Sequence, residues 1–258
     1  MNGGTNVIET LVAPGAESDV IGLAYGSLAE GETVELDGSD EAVAVVLSGS
    51  VDAWAGDAAL GRAGGRSDPF AEPGHAVYAP PGAPLRLVAT DDAVVALATA
   101  PPGDDEPGQA RVIGPGDQKI ATVGEGSWER SVRTMLGPDD TASRLLVGET
   151  LNPPGKWSSY PPHKHDRHQP PEEVRLEEVY LFRVQPEAGF GIQVLYEPGS
   201  EDTRMVRDGD VAVIRSGYHP VVGAPGYTLY YLWVMAGEGR AMAPWFDPEH
   251  VWVQEAAT

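Results

Sequence analysis

The sequence predicts an all-β protein assembled from many short strands, as in a β-sandwich or barrel. Its 258 residues include 32 glycines and 23 prolines, which recur every few positions instead of pooling in one segment. Because both residues interrupt helices, long helices are not expected. Short runs rich in β-branched and aromatic side chains lie between these turn residues, a pattern typical of sandwiches and barrels.

Nine such runs are predicted as strands. Four lie in the first half of the chain, at Ala42–Leu47, Ala76–Tyr78, Leu85–Val88 and Ala93–Ala98. Five lie in the second half, at Ser143–Val147, Val179–Phe182, Gly191–Tyr196, Asp210–Ile214 and Leu229–Met235. Turn signals separate each run from the next, as a sandwich or barrel requires.

A repeated layout divides the chain into two similar halves. Residues Gly74–Gly82 consist of a glycine turn, a short strand and a second turn, and Gly209–Gly217 have the same layout. Two copies of one small barrel are therefore predicted, at residues 1–108 and 109–258. The segment 100–108, rich in proline and acidic residues, is the expected connector.

Composition excludes several classes of function. The chain carries 17 Lys and Arg residues against 39 Asp and Glu, a formal net charge of −22 that repels nucleic acid and anionic membranes. It has no cysteine, which removes disulfides, thiolate metal sites and cysteine nucleophiles. No secretory leader pattern and no apolar run of ~20 residues is visible. We therefore expect a soluble, cytoplasmic protein that acts on a small molecule.

The second copy alone places a histidine after its final glycine. His219 follows Gly217 by two residues, whereas Pro84 stands two residues after Gly82. Imidazole is a metal ligand and a proline ring is not. The first barrel is therefore expected to be free of metal, and the second to hold one divalent ion per chain.

Further ligand candidates lie upstream of His219. His163 and His165 flank Lys164, and alternate residues of a strand share one face. Glu178 lies on a later predicted strand, where it can project into the barrel. Three imidazoles and one carboxylate suit a borderline divalent ion, Zn²⁺ or Mn²⁺. The remaining histidines are not expected to be ligands; they are His75, His168 and His250.

This pattern resembles that of the cupins, which bind metal through a His-x-His pair, a following Glu and a later His after a glycine turn. The duplication resembles the bicupins, with two tandem double-stranded β-helix (jelly-roll) barrels. Five longer stretches are similar to bacterial 5-deoxy-glucuronate isomerases of myo-inositol catabolism, which belong with the 4-deoxy-5-ketouronate isomerases. They are Gly155–Asp166, Leu176–Arg183, Val206–Val211, Gly217–Tyr227 and Leu229–Gly237. The resemblance is strongest over residues 123–252.

Two features depart from the general cupin pattern. Twelve residues separate His165 from Glu178, more than cupins usually have, so Glu172 and Glu173 are also candidate ligands. The resemblance to the isomerases favours Glu178. Arg215 stands where a proline commonly precedes the glycine turn, which leaves the local turn geometry open without affecting His219.

The resemblance implies an aldose-ketose isomerase that converts 5-deoxy-D-glucuronate into 5-dehydro-2-deoxy-D-gluconate. Its implied metal ligands are His163, His165, Glu178 and His219. A base must remove the proton from the carbon beside the aldehyde, while an electrophile stabilises the enediolate. Metal-bound hydroxide, Glu178 and a nearby tyrosine are all candidates for the base, and Tyr160 is the first tyrosine to test.

Other side chains are expected to bind the sugar acid. Its hydroxyl groups are expected to contact Gln193 and the tyrosines Tyr180, Tyr218 and Tyr231. Its carboxylate requires a local cation, since the net charge of the chain repels it. Candidates for that cation are Lys164, Arg183, Lys156 and Arg167.

Two other functions are compatible with a bicupin, because a fold alone does not determine an activity. An Fe²⁺ dioxygenase uses the same set of three histidines and one glutamate and consumes oxygen. A non-catalytic sugar-binding module does not need all four ligands. Assembly into a homo-oligomer is compatible with either function and with the isomerase.

Overall fold

Short antiparallel strands build almost all of the regular structure, in agreement with the predicted all-β class. The computed structural model describes residues 7–256, and within them lie 22 strands, one α-helix (α1, Trp252–Ala256) and two 3₁₀ turns. No helix in that range is long and apolar enough to cross a membrane.

The first ten strands form two sheets. They are β1 (Val7–Val12), β2 (Gly22–Leu28), β3 (Thr33–Leu36), β4 (Glu41–Ser48), β5 (Ser50–Ala55), β6 (Ala58–Gly64), β7 (His75–Ala79), β8 (Leu85–Ala89), β9 (Ala93–Ala100) and β10 (Arg111–Ile113). One sheet has the order β1-β2-β9-β4-β7-β10 and the other β3-β8-β5-β6.

The remaining twelve strands repeat this arrangement. They are β11 (Lys119–Val123), β12 (Arg130–Leu136), β13 (Leu146–Asn152), β14 (Trp157–Ser158), β15 (His163–Lys164), β16 (Leu176–Gln185), β17 (Gly191–Glu197), β18 (Ser200–Val206), β19 (Val211–Ile214), β20 (Val221–Gly223), β21 (Thr228–Gly237) and β22 (Trp245–Phe246). Their sheets have the orders β11-β12-β13-β21-β16-β19 and β14-β20-β17-β18, and β15 pairs with β22. Each half of the chain therefore contains a six-stranded and a four-stranded sheet, as the repeat predicts. The four-stranded sheets match in order, and so do five strands of the larger sheets; the sixth lies at opposite edges, β10 beside β7 and β11 beside β12.

The chain groups into two compact units that are not continuous in sequence. The first unit runs to Lys119 and takes in Met135–Val147, and the second comprises Ile120–Thr134 and the chain from Gly148 onward. Strands β12 and β13 consequently have residues in both units. The division at residue 108 uses a different criterion, the sequence repeat, and stays a prediction.

One predicted strand is wrong over its first three residues. Eight of the nine predicted runs fall on observed strands, but β13 begins only at Leu146. The backbone amides of Ser143, Arg144 and Leu145 donate instead to the buried carboxylate of Glu41, over 2.5, 2.7 and 2.7 Å. These three amides are thereby withdrawn from strand pairing, and the sequence run alone carries no sign of that partner.

Small aliphatic side chains fill the interior of the first unit. Alternate residues of its strands point inward, as the two-residue period of a strand requires. The cluster they form is Leu28, Ala42, Ala44, Val46, Val51, Ala53, Ala63, Val77, Ala79, Leu85, Leu87, Ala89, Ala93, Val95 and Leu97. This interior is a packed apolar core, and each of these side chains is at most 3% exposed.

Replacing Glu41 by alanine should destabilise the first unit. The carboxylate is fully buried, accepts the three amides named above and also accepts a hydrogen bond from Tyr78. Leaving those donors unpaired costs about 2–3 kcal/mol, which corresponds to a fall of roughly 5–10 °C in Tm for a unit of this size. Calorimetry of Glu41→Ala beside the exposed control Glu35→Gln measures this, and equal Tm values for the two variants would contradict it.

Candidate metal centre

One face of the large sheet in the second unit carries the polar side chains of the site. On β16 the residues Glu178, Tyr180 and Phe182 share a face, because side chains alternate along a strand. In the antiparallel pairing with β21, Glu178 lies opposite Met235 and Tyr180 opposite Trp233. The face that is aliphatic in the first unit is therefore aromatic and acidic here.

Two histidines converge on the Glu178 carboxylate. The Nε2 atoms of His165 and His219 lie 3.2 and 3.3 Å from Glu178 Oε2. These three residues are buried, and their ligand atoms all lie within 4.8 Å of one another. The ring of His163 joins them, with its centroid 4.9 Å from that of His219 and 6.4 Å from that of His165. All four predicted ligands are thus brought together.

Backbone carbonyls hold the other ring nitrogen of each histidine. Nδ1 of His165 lies 2.6 Å from the carbonyl oxygen of Leu176, and Nδ1 of His219 lies 3.0 Å from that of Gly217. His163 Nδ1 makes a longer contact of 3.4 Å with the carbonyl of Pro161. A carbonyl only accepts, so each Nδ1 carries a proton, and Nε2 of the neutral ring then presents a lone pair. This is the tautomer and orientation that metal-ligating histidines have.

The donor set fits a divalent cation. His219 Nε2 is buried and makes no hydrogen bond, which is costly unless something else binds its lone pair. Burial raises the pKa of Glu178, but its close contacts with the rings of His165 and His219 outweigh burial and lower that pKa to about 2. Burial and the neighbouring imidazoles lower the pKa of His163 well below its usual value. Burial lowers the pKa of His165, but contacts with Glu178 and the carbonyl of Leu176 outweigh burial and raise that pKa. The cluster therefore presents an ionised carboxylate, the state that binds metal, beside three imidazoles.

An ion-pair network beside the cluster fixes the segments that carry the histidines. Lys164 Nζ contacts Asp166 and lies 3.0 Å from Glu173, on the side of the strand away from the cluster. Glu173 also accepts the backbone amide of Asp166 at 2.8 Å, and Asp166 accepts that of Gly217 at 3.0 Å. The residues next to His165 and the turn before His219 are thereby joined.

This network bears on the alternative carboxylates. Glu173 is buried among Lys164 and backbone amides, and Glu172 is exposed to solvent. Glu178 alone of the three lies between two imidazoles.

A cavity of about 100 Å³ opens beside the cluster. Four strands of the large sheet, β15 with the segment before it, and the segment between β21 and β22 supply its walls, which are Arg130, Val132, Thr150, Ser159, His163, Glu178, Tyr180, Tyr231, Trp233, Met235 and Met242. Burial raises the pKa of both Tyr180 and Tyr231, so their hydroxyls stay protonated at neutral pH. They accept from or donate to Ser159 and Ser158, at 3.0 and 2.5 Å. The cavity wall thus carries two protonated tyrosine hydroxyls, each hydrogen-bonded to a serine.

Tyr160 faces a different cavity. Its ring packs near those of Trp128 and Trp157, with centroids 6.5 and 5.8 Å away. Together with Pro162, Tyr196 and other residues, they line a space of about 440 Å³ that includes neither Glu178 nor His163 in its walls.

The other predicted substrate-binding residues are engaged by protein groups. Gln193 Nε2 donates to the carbonyls of His219 and Pro220, at 2.8 and 3.1 Å, and so supports the backbone of a candidate ligand. Tyr218 stacks on Tyr196, with ring centroids 5.1 Å apart. Arg183 Nε donates to Asp208 over 2.9 Å. These substrate contacts stay predictions, and the structure adds one charged residue on the cavity wall that the sequence reasoning missed, Arg130.

Comparison with known proteins identifies the family. The model of the KduI/IolB family matches residues 2–253 of the chain. The chain belongs to the KduI/IolB family. A 5-deoxy-glucuronate isomerase from Geobacillus thermodenitrificans is 37% identical over 242 residues, 92% of this chain and 88% of that protein. One from Halalkalibacterium halodurans is 34% identical over 260 residues, 98% of this chain and 94% of that protein.

Solved structures show the same fold. A crystal structure of an IolB-like protein from Salmonella typhimurium matches with a TM-score of 0.91 at 30% identity, covering 98% of this chain and 97% of that one. Oxalate decarboxylase from Bacillus subtilis matches with a TM-score of 0.63 at 11% identity, covering 88% and 71% of the two chains. The second likeness concerns the fold alone, and it confirms the bicupin architecture.

Replacing His219 by alanine should remove a bound divalent ion without unfolding the protein. The imidazole supplies a buried lone pair to the cluster, whereas the strands around it are held by their own pairing and apolar packing. Elemental analysis should find about one ion per chain in the parent and in the control His168→Ala, whose histidine lies on the surface. Far-UV circular dichroism should be the same for all three proteins. Full metal content in His219→Ala would contradict the assignment.

Proposed function

We propose that this chain is a metal-dependent 5-deoxy-glucuronate isomerase, which converts 5-deoxy-D-glucuronate into 5-dehydro-2-deoxy-D-gluconate in myo-inositol catabolism. The observation that carries the proposal is the buried cluster of His165, Glu178 and His219, whose Glu178 lies on the wall of a cavity together with His163. It occurs in a member of the KduI/IolB family whose relatives, named as this isomerase, align along almost the whole chain.

The proposed ligands are His163, His165, Glu178 and His219, holding one Zn²⁺ or Mn²⁺ per chain. What supports this set is that three rings have their Nδ1 atoms turned toward backbone carbonyls. A divalent ion bound by these side chains would supply a Lewis acid able to polarise the substrate carbonyl and to stabilise the negative charge that develops on it.

The reaction moves a carbonyl from C1 of the sugar to C2. A base removes the proton from C2, and the C–H electron pair forms the C1–C2 double bond of the enediolate. The proton of the C2 hydroxyl passes to O1 and the base returns its proton to C1, so the aldehyde becomes a hydroxymethyl group and C2 becomes a ketone. We assign the transfer of the carbon-bound proton to Glu178, because its carboxylate is ionised and lies on the cavity wall. Tyr160 stays a predicted base, and the position of its ring in the aromatic cavity favours Glu178 over it.

Tyr180 and Tyr231 are proposed to orient the substrate. Their hydroxyls remain protonated, so each can donate a hydrogen bond to a sugar oxygen. Such hydrogen bonds strengthen as negative charge forms on that oxygen during enolisation. Their rings lie 4.4 Å apart, centroid to centroid, at the cavity wall. Packing between the two rings restricts the hydroxyl positions, which is what preorganised donors require.

A nuclear magnetic resonance assay in D₂O tests this function. Metal-stripped protein should leave 5-deoxy-glucuronate unchanged, and protein reloaded with Zn²⁺ or Mn²⁺ should form the ketose with deuterium on its hydroxymethyl carbon. Deuterium enters because a proton held on a carboxylate exchanges with solvent before it is returned.

Other outcomes of the assay would contradict parts of the proposal. Turnover with complete retention of the substrate hydrogen would contradict the role of Glu178 and favour a hydride shift. Oxygen uptake would identify a dioxygenase instead. Absence of turnover in the reloaded, folded protein would overturn the isomerase.

A further inference from the structure

We infer that Arg130 binds the carboxylate of the sugar-acid substrate and makes the site selective for acids over neutral sugars. The inference rests on the proposed function, since it assigns the far end of that substrate. Neither the sequence motifs nor the ligand cluster points to this residue, which lies on β12, 33 residues upstream of His163.

Arg130 reaches the same cavity as the cluster. The guanidinium and Glu178 are both wall residues of the 100 Å³ space, and Tyr180 and Tyr231 lie on the same wall. Both tyrosines are close enough for their charge states to be coupled to Arg130. The sheet order β12-β13-β21-β16 explains this arrangement, because it sets Arg130 at one side of the face and Glu178 at the other.

The guanidinium is incompletely paired. Nη1 donates to the carbonyls of Trp128 and Tyr160, at 3.2 and 3.3 Å, which fixes its position. Nε is buried and makes no hydrogen bond. Arg130 forms no ion pair with any carboxylate of the described residues. A planar fork with unused N–H groups is suited to a carboxylate.

Because Arg130 is buried, the lack of a carboxylate partner among the described residues has an energetic cost. Arg130 is only 9% exposed, and burial lowers its pKa from the usual arginine value. A buried charge without a counter-ion is costly, and an anionic ligand that enters the cavity offsets that cost. In a chain of net charge −22, such a local cation is also needed to hold any acidic substrate.

The other candidate cations already have protein partners. Lys164 is buried against Glu173 and Asp166, and Arg183 is bound to Asp208. Lys156 contacts Glu129, and Arg167 has a side chain that is 67% exposed. Arg130 is the one member of this group that combines burial, a cavity position and unused donors.

The cavity wall offers a partner for each end of one substrate molecule. Its volume of about 100 Å³ is below the roughly 300–1,000 Å³ of pockets that enclose whole ligands, so it would enclose only part of the substrate. A six-carbon chain with its carbonyl end toward Glu178 and its carboxylate toward Arg130 would use both charged ends of the wall. The acid group would then fix the distance of C1 and C2 from the base.

Substrate preference tests the inference. The ratio of kcat/KM for 5-deoxy-glucuronate to that for 5-deoxy-glucose, its neutral counterpart with a hydroxymethyl group, should fall by roughly 10²–10³ in Arg130→Met. The value of kcat/KM for 5-deoxy-glucose should change by less than about threefold. Arg130→Lys, which keeps the charge but loses the fork, should lower the ratio by about tenfold. Arg175→Met, an exposed arginine away from the cavity, should behave as the parent.

Metal content and circular dichroism should be unchanged in all three variants. If Arg130→Met does not fold, the ratio of the two kcat/KM values in Arg130→Lys tests the inference instead. An unchanged ratio in a folded Arg130 variant would overturn the inference while leaving the isomerase intact.

A second readout does not depend on turnover. Calorimetric binding of 5-deoxy-glucuronate to metal-stripped protein should weaken at least about tenfold in Arg130→Met, and equal affinity for parent and variant would overturn the inference. If the reloaded parent has no isomerase activity but binds the acid through Arg130, the proposed function fails and the carboxylate site stands.

Discussion

Hydrogen bonds from imidazole Nδ1 atoms to backbone carbonyls are the constraint on which the site depends. The carbonyls of Leu176 and Gly217 fix the rings of His165 and His219, and Glu178 Oε2 lies between their Nε2 atoms. Rings that were free to turn would present either nitrogen and lose the shared geometry. The geometry of the site therefore depends on the positions of these backbone carbonyls as much as on the ligand side chains.

The two halves of the chain show how one topology serves two purposes. Their sheets share the order of all but one edge strand, yet the apolar cluster inside the first is alanine, valine and leucine, and the inward residues of the second include glutamate, histidine and tyrosine. A barrel packed with aliphatic side chains has a stable core but no group that can bind a metal or catalyse a reaction. Polar residues inside a barrel must be paired or bind a ligand. The second unit pairs its polar residues with one another, with backbone carbonyls and, in our proposal, with a cation.

Sequence periodicity predicted the parts of the site that lie close together in the chain. The His163 and His165 spacing and the position of Glu178 on a strand follow from the two-residue period, and the repeat identified His219. Arg130 was missed because its closeness to Glu178 depends on the order of strands in a sheet, which no local pattern reveals. The start of the Ser143–Val147 strand was mispredicted for a similar reason. The Glu41 carboxylate that accepts hydrogen bonds from its backbone amides is about a hundred residues away in the sequence.

The direct test of the metal centre is X-ray absorption spectroscopy of the zinc-loaded protein at the zinc edge. The account predicts a first shell of nitrogen and oxygen at about 2.0–2.1 Å, with multiple scattering from three imidazoles that falls to two in His165→Ala. A spectrum with one imidazole or none, or one that His165→Ala leaves unchanged, would contradict the assignment of this cluster as the metal site.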